Sequence, residues 1–376
     1  MSFDKTTFEV RAVKLGEITK HPNADSLSIT EAFGNPVIMK TGSFKSGDWA
    51  VYVPVDSLVP VNRPEFNFLE CGRDKERIKA KKLRGIFSMG LLVPIPPGVN
   101  FDQNTDFAPI LGVEKWVSPT ELDELKEESQ KVANKKKAKV KAPNLPVYGL
   151  ESFRKYKDVF LEGEEVVITE KLHGMNAKFL HDGKRLFIGS HKVMRGATRH
   201  YIWDLIEQAK FKLMDLFKIK RPEYVPVGDI WWKVAESFNL KKKLRKAPGL
   251  IFFGEVYGEK VQNLTYDSPK GQTLRLFDIF DTKKKQFLGT KDFFSICHML
   301  DLPTVPILYI GPWSKEVEAR WKNYADTAST VLYLPGTKPH MAEGIVIKPQ
   351  KERTDVRVGR VAMKYVGQQY LLAKET

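Results

Sequence analysis

The sequence has 376 residues and a formal net charge of +15, from 61 Lys and Arg against 46 Asp and Glu. This length allows two domains with separate cores, and the basic excess suggests a polyanionic partner. No apolar run approaches the roughly 20 residues of a membrane span. The first residues lack a signal peptide's apolar stretch, and Cys71 and Cys297 have no metal-site spacing. These features predict a cytoplasmic protein without a cysteine-based zinc site.

Short strand-like runs dominate the N-terminal part of the chain. Gly, Pro, Asn and Asp separate them, a pattern typical of a small all-β barrel. A strongly basic stretch between Arg73 and Arg84 precedes one more apolar run. We predict a first domain over residues 1–116, with strands at residues 8–10, 27–30, 36–39, 49–55 and 91–95.

Residues 117–147 change character and separate the two predicted domains. Residues 121–129 are acidic and helix-prone, whereas residues 131–141 carry six lysines and no persistent apolar stripe. An exposed charged linker is the favoured interpretation, and a tether that contacts phosphates is the alternative.

The remaining residues, 148–376, predict an α+β domain. Helical patterns fill the gap between Tyr201 and Lys246, and apolar residues recur there at helical spacing, which predicts a core face. The basic run 241–246 that follows is most simply a solvated helix end, with nucleic-acid contact as the alternative. The core positions are Trp231, Val234, Ala235 and Phe238, and the predicted strands cover residues 166–169, 250–253, 274–277 and 345–347.

Residues 170–176, with the sequence Glu-Lys-Leu-His-Gly-Met-Asn, place Lys171 at the end of a predicted strand. Gly174 permits a tight turn just beyond it. A lysine amine can form a covalent adduct only when it is neutral, so it must lie near positive charge or in a poorly solvated pocket. Alone, this heptapeptide is typical of a surface lysine before a hairpin turn.

Four later apolar strands each carry one or two charges. Any one of them is typical of an edge strand with an exposed charge. Together with Lys171 they supply two glutamates and two further basic groups, the set that phosphoryl transfer from a nucleotide requires. The charged residues are Glu255 in 252–258, Asp278 in 274–280, Glu343 and Lys348 in 342–349, and Lys364 in 361–365.

These five segments resemble motifs I, III, IIIa, IV and V of the covalent nucleotidyltransferase superfamily of ligases and capping enzymes. The form Lys-x-His-Gly, with His173 where most DNA ligases and capping enzymes carry Asp, resembles the fifth RNA ligase family. That family has an N-terminal OB domain, and residues 18–27 are similar to OB domains of tRNA-binding proteins. The resemblance implies an α+β protein, an OB-fold barrel followed by a nucleotidyltransferase domain of antiparallel sheets flanked by helices. His21 and Asp25 are assigned to a turn.

The resemblance also implies roles for the residues around the nucleotide. Lys171 would attack the α-phosphate of ATP and form a lysyl-AMP adduct. The backbone of Thr169 and Glu170 would read the adenine edge, and Phe277 would stack on the adenine, a contact worth about 1–3 kcal/mol.

Charged residues would complete this implied site. Glu343 would place a hydrated Mg²⁺ (or Mn²⁺), and Glu255 would contact the ribose or a metal-bound water. Lys364 would contact the α-phosphate throughout, and Lys348 is a further candidate for phosphate or a second metal.

Two positions depart from the family pattern. Many RNA ligases have two lysines separated by one residue in motif V, whereas Ala362 stands first here, with Arg360 two residues earlier. Either Arg360 substitutes or one phosphate contact is missing. For the arginine of motif Ia we favour Arg195, then Lys192.

The expected reaction joins a 5′-phosphate end to a 3′-hydroxyl end of RNA or an RNA-containing duplex, at nicks with RNA on the 3′-hydroxyl side. We expect a monomer. Three alternatives remain: an ATP-dependent DNA ligase, a GTP-dependent capping enzyme, and an RNA-binding OB protein with a degenerate transferase half. The Asp preference at position 173 and the domain order disfavour the first two, and the intact motif residues disfavour the third.

Overall fold

The computed structural model describes residues 8–69, 72–117, 145–192, 194–197 and 230–373, with the backbone alone at 195–197. Contacts divide these residues into two compact units. Unit 1 comprises residues 8–69, 72–117, 149–161 and 363–373, and unit 2 comprises 145–148, 162–192, 194–197 and 230–362. No helix in these ranges is long and apolar enough to cross a membrane.

The secondary-structure elements are numbered in chain order over the described residues. They are β1 (Arg11–Lys14), β2 (Thr19–Lys20), β3 (Leu27–Ala32), β4 (Asn35–Lys40), β5 (Trp49–Val53), β6 (Ser57–Pro60), a 3₁₀ turn (Asn67–Leu69), β7 (Lys75–Ile78), β8 (Lys81–Leu83), β9 (Ile86–Ser88), β10 (Leu91–Pro94), α1 (Ala108–Leu111), β11 (Glu114–Lys115), β12 (Glu151–Ser152), β13 (Glu165–Lys171), β14 (Met175–His181), β15 (Leu186–Ser190), β16 (Met194–Ala197), α2 (Ile230–Ser237), α3 (Leu240–Leu244), β17 (Leu250–Gly258), β18 (Gln272–Asp281), β19 (Gln286–Phe287), α4 (Thr290–Met299), β20 (Ile307–Pro312), α5 (Lys315–Thr327), β21 (Gly344–Pro349), β22 (Thr354–Asp355), β23 (Gly359–Arg360), β24 (Met363–Val366) and α6 (Gln368–Ala373).

Unit 1 consists mainly of short antiparallel strands in the orders β1-β5-β10, β2-β3-β4, β11-β6-β7 and β8-β9. The four predicted strands from residue 27 onward are confirmed as β3, β4, β5 and β10. The prediction of a strand at residues 8–10 is wrong, because regular strand pairing begins only at Arg11. The carbonyl of Val10 instead accepts a hydrogen bond from Phe107 N (2.7 Å). His21 is buried and holds a turn, as predicted, with Nδ1 accepting from Asn23 N (3.1 Å).

Two segments of the predicted second domain group with unit 1 instead. β12 pairs in parallel with β24. Charged contacts tie residues 149–161 to the N-terminal strands: Lys155 Nζ lies 2.6 Å from Glu9 Oε2, and Lys157 Nζ lies 2.8 Å from Glu31 Oε1. The contact-based division therefore differs from the predicted division of residues 1–116 and 148–376.

Unit 2 contains two antiparallel sheets. In the first, β13 lies between β20 and β21. The second has the order β16-β15-β14-β17-β18-β19. One face of this six-stranded sheet buries apolar side chains against the helices, and α2 confirms the predicted helical core residues. The cluster includes Phe179, Phe252, Leu276, Trp231, Val234 and Ala235.

The other face of the six-stranded sheet carries the polar side chains. By the two-residue period of a strand, Glu255 shares this face with its cross-strand partners Asn176 and Arg275. A β-bulge interrupts the pairing of β17 with β18. Phe253 is opposite Asp278 and the next residue, Gly254, is opposite Leu276, so Phe277 has no partner on β17. The extra residue places two consecutive side chains of β18, at positions 277 and 278, toward this polar face.

Candidate active site

Lys171 is the last residue of β13, and its partner on β21 is Gly344. Glu343 directly precedes β21, so the antiparallel pairing brings the two side chains together. Lys171 Nζ donates to Glu343 Oε1 at 2.6 Å. The lysine side chain is 24% exposed and the glutamate side chain 8%, so this ion pair is largely withdrawn from water.

The turn after Lys171 requires glycine at position 174. A Cβ atom there would lie 2.3 Å from the carbonyl oxygen of Val256 and 3.0 Å from Glu255 Cγ, which is too close for any other residue. The close approach lets the backbone N–H of Gly174 bond to the carboxylate of Glu255. His173 N donates to the hydroxyl of Tyr266 at 2.6 Å and holds the other side of the turn. The predicted glycine turn is therefore the element that joins Lys171 to Glu255.

The charges of these residues determine their protonation. Burial lowers the pKa of Lys171 most strongly, but the attraction of Glu343 and Glu255 outweighs burial, and the pKa stays above its ordinary value. Burial raises the pKa of Glu255, Lys171 opposes the shift and the neighbouring Glu343 adds to it, which together bring the pKa to about 8. The ligand-free site therefore holds a protonated lysine beside a carboxyl group that ionises only in mildly alkaline solution.

The elevated pKa of Glu255 predicts a pH-dependent stability. Between the ordinary carboxyl pKa of about 4.3 and the folded-state pKa of about 8, the folded protein holds a proton that the unfolded chain releases. Stability is therefore lost as pH rises through this window. Glu255→Gln, which stays neutral, should raise the melting temperature above wild type at pH 8–9, with the difference shrinking toward pH 5. Thermal denaturation across this range in metal-free buffer tests the effect, and parallel curves would contradict it.

The donor atoms at the site suit a divalent metal that is completed by substrate. Glu343 Oε2 and Asn176 Oδ1 are both buried without a hydrogen-bond partner among the described residues. No group of three His, Cys, Asp or Glu side chains within the described ranges is arranged to hold a metal by itself. Mg²⁺ commonly uses one or two carboxylates and takes its remaining ligands from water and substrate phosphates. Glu343 and Glu255 fit that role, whereas the sequence argument missed Asn176, which only its pairing opposite Glu255 reveals.

Three residues of the two sheets are near neighbours of Lys171 or Leu172 in the fold. Thr169 and Val346 are cross-strand partners and share the face of Lys171 by the strand period. Phe277, at the bulge of β18, is half-buried and packs against a cluster that contains Leu172. Val346 and Phe277 are partly exposed on strands whose neighbours are mostly buried.

Glu170 lies on the opposite face of β13 from Lys171. Its carboxylate is 1% exposed, and Oε2 accepts from Val331 N at 3.0 Å. Its own N–H donates to the carbonyl of Pro306 at 3.0 Å. A contact of the Thr169 and Glu170 backbone with adenine stays a prediction, and the side chain of Glu170 supports the loop around residue 331 instead.

A buried polar cluster surrounds Asp278, which is fully buried. Its Oδ2 accepts from Tyr148 Oη (2.7 Å), Arg360 Nη2 (2.8 Å) and Lys348 Nζ (3.2 Å). Burial raises the pKa of Asp278, but Arg360 and Lys348 outweigh it and hold the pKa below its ordinary value. Lys348 also donates to the carbonyl of Phe277 at 2.9 Å. Lys348 and Arg360 are thus both bound to the carboxylate of Asp278, and Lys348 also holds the backbone of Phe277.

The remaining predicted residues are located here by the elements that carry them. Lys364 lies on β24, in unit 1, where its carbonyl accepts from Phe153 N at 2.9 Å. Lys192 is the second residue after β15 and is partly buried. Arg195 lies on β16, but its side chain is outside the described part of the chain. Their nucleotide contacts stay predictions.

Two antiparallel sheets with a lysine and two carboxylates between them are the arrangement expected of the nucleotidyltransferase class. A family model described as RNA ligase matches residues 164–366, more than half of the chain. The protein therefore belongs to the RNA ligase family. A second model, described as an OB-fold domain, matches residues 9–95. A search among curated proteins gives no match.

Solved structures of Naegleria gruberi RNA ligase have the same fold. The structure with PPi aligns with a TM-score of 0.72 and 20% identity, covering 98% of this chain and 99% of that one. A lysine-to-methionine mutant with AMP and Mn gives a TM-score of 0.72 at 20% identity over 98% and 99%. A lysine-to-alanine mutant with ATP and Mn gives 0.72 at 20% identity over 97% and 98%. The predicted α+β fold, an OB domain followed by a ligase domain of antiparallel sheets, is confirmed.

Proposed function

We propose that this protein is an ATP-dependent RNA ligase that acts through an AMP adduct on Lys171. The observation that carries the proposal is the pairing of Lys171 with Glu343, 2.6 Å apart, beside Glu255. The family assignment supports ligase chemistry. The complexes of the Naegleria gruberi enzyme with ATP, AMP and Mn support this choice of nucleotide and a divalent metal.

The ion pair sets the first requirement of the mechanism. Lys171 must lose its proton and leave Glu343 before its amine can attack phosphorus. A Mg²⁺ or Mn²⁺ ion held by Glu343 and Glu255 would screen the phosphate charge and favour the neutral amine. The amine of Lys171 then bonds to the α-phosphorus of ATP and pyrophosphate leaves. The ion pair thus keeps the nucleophile protonated until substrate arrives.

The later steps use the same groups. AMP passes from Lys171 to a 5′-phosphate of the RNA, and a 3′-hydroxyl attacks the activated end and expels AMP. Each step is an in-line displacement at phosphorus, so one site can serve all three. Phe277 is proposed to stack on adenine, which places the α-phosphate at the end of β13.

Further residues and the setting complete the proposal. Lys364 is proposed as the lasting α-phosphate contact, with Arg195 or Lys192 at the ribose or 5′ end. The bonds of Lys348 to Asp278 and to the Phe277 carbonyl favour a supporting role for that lysine over the phosphate contact expected from the sequence. Cys297 is a buried free thiol, which fits a reducing compartment such as the cytoplasm. We propose that the protein acts as a monomer and that its OB domain binds the nucleic acid.

Strand choice distinguishes an RNA ligase from a DNA ligase. We expect nicked duplexes whose 3′-hydroxyl strand ends in RNA to be sealed at least about tenfold faster than all-DNA nicks, a difference of about 1.4 kcal/mol in activation free energy. The measurement is single-turnover sealing of a panel with RNA or DNA on each side of the nick. Pre-adenylylated nicks are the control, since they separate strand choice from the first step. Equal rates on all-DNA nicks would favour the DNA-ligase alternative.

A further inference from the structure

Three separate chain segments bring basic residues together at one end of the six-stranded sheet. The turn between β14 and β15, the segment from α3 to β17, and the turn after β18 cover residues 182–185, 240–249 and 281–285. They carry ten basic and two acidic residues, a net charge of +8 within a chain of net charge +15. We call this surface the basic sheet end; its exposed cations are Lys184, Lys242, Arg245, Lys246, Lys283, Lys284 and Lys285.

Backbone hydrogen bonds fix these segments beside one another. Gly249 N donates to the carbonyl of His181 at 2.9 Å, and Thr282 N donates to the carbonyl of Gly249 at 3.1 Å. Arg245 and Lys241 are close enough to His181 to lower its pKa, although burial is the larger cause. The convergence is therefore built into the sheet, and the linear sequence shows only three unrelated basic runs.

The acidic residues of the basic sheet end are engaged in shaping its turns. Asp182 Oδ1 accepts from the backbone N–H groups of Lys184 and Arg185, both at 2.7 Å. Asp281 Oδ1 accepts from those of Lys283 and Lys284 at 2.8 and 3.0 Å. Within the described residues, the exposed cations form no ion pair with a carboxylate. Ten basic residues against two acidic ones in these segments leave a large excess of positive charge, which favours a polyanionic partner.

We propose that the basic sheet end binds the phosphate backbone of the RNA duplex away from the reacting ends. β17 runs from this end toward the active site, and Leu250 and Glu255 are five residues apart, or roughly 17 Å along the strand. Double-stranded DNA carries about one charge per 1.7 Å of helix axis, and at a comparable spacing this distance spans roughly ten phosphates of an RNA duplex, or about five base pairs. The identity of the polyanion as substrate RNA rests on the proposed function. The charge complementarity does not.

The test compares two variants with the full-length protein. Lys246, Lys283, Lys284 and Lys285 are replaced together by Ser or, as the matched control, by Arg. The turn bonds at Asp281 involve the backbone, so both variants should retain them. Affinity is measured over a range of salt concentrations for nicked RNA duplexes with hairpin-closed arms of about 4 or about 12 base pairs. Adduct formation with labelled ATP is measured separately.

For the long arms we expect the Ser variant to bind at least about tenfold more weakly near 0.15 M salt. Each lost phosphate contact reduces the slope of log affinity against log salt by roughly 0.9. With four lysines replaced, the slope should be shallower by about 3 to 4. The Arg variant, short-arm binding and adduct formation should match wild type. Unchanged long-arm affinity and slope would overturn the proposal, as would an equal loss on short arms. If no adduct forms in wild type but the arm-length effect persists, the proposed ligase function fails and the duplex surface stands.

Discussion

Replacing Lys171 with alanine is expected to abolish adduct formation. Incubation with α-labelled ATP and magnesium should give wild-type protein a label that survives a denaturing gel, and Lys171→Ala should reduce it by at least about 10³-fold. The reason is chemical, since Lys171 supplies the attacking amine in the proposed mechanism and alanine has none. Little label should form with GTP or NAD.

Lys171→Arg is the matched control for this experiment. It keeps a positive charge that can pair with Glu343 but cannot lose its proton at neutral pH. We therefore expect near wild-type stability together with no label. Full labelling of Lys171→Ala would show that another residue is the nucleophile. Labelling of Lys171→Arg alone would show that the charge at this position, and not its amine, supports the reaction.

The sequence predicted the site best where a residue type is forced by chemistry or by space. Lys171 and Glu343 meet because two adjacent strands pair in register, and Gly174 is required because β17 passes 2.3 Å from its Cβ position. The strand patterns also predicted β13, β17, β18 and β21 correctly, and the family resemblance implied the antiparallel sheets that contain them. These features depend on local patterns that a single chain displays.

The parts that could not be predicted depend on irregular pairing. The bulge between β17 and β18 places Asp278 next to Phe277 on the polar face, although strict alternation would separate them. No sequence pattern reveals that Arg360 and Lys348 meet at Asp278, more than 60 residues away. The same limit explains why Asn176 was missed and why the contact-based grouping of residues 149–161 differs from the predicted domain division.

Removing the carboxylate of Asp278 should destabilise the protein strongly. Asp278→Ala leaves Arg360 and Lys348 without the buried partner that compensates their charge, and Tyr148 loses its acceptor. Breaking a buried pair in this way costs about 3–5 kcal/mol in the free energy of unfolding. Chemical denaturation measures the loss. Glu352→Gln is the control, because Glu352 contacts the same arginine at a more exposed position and should cost about 1 kcal/mol.

The Asp278→Ala variant also tests the roles of Lys348 and Arg360. If Lys348 and Arg360 serve mainly to support the Phe277 strand, then adding Lys348→Met to Asp278→Ala should recover part of the lost stability, because it removes one uncompensated buried charge. If they are held for phosphate binding, Asp278→Ala should leave stability unchanged and alter the KM for ATP. The first outcome is expected. Lys348 is only 7% exposed and bonds to both Asp278 and the Phe277 carbonyl, so it would have to break two bonds to reach a phosphate. Ala362, at the position of the first motif V lysine, would then mark a phosphate contact that this ligase lacks. Lys364 would be the one motif V lysine left to contact the α-phosphate.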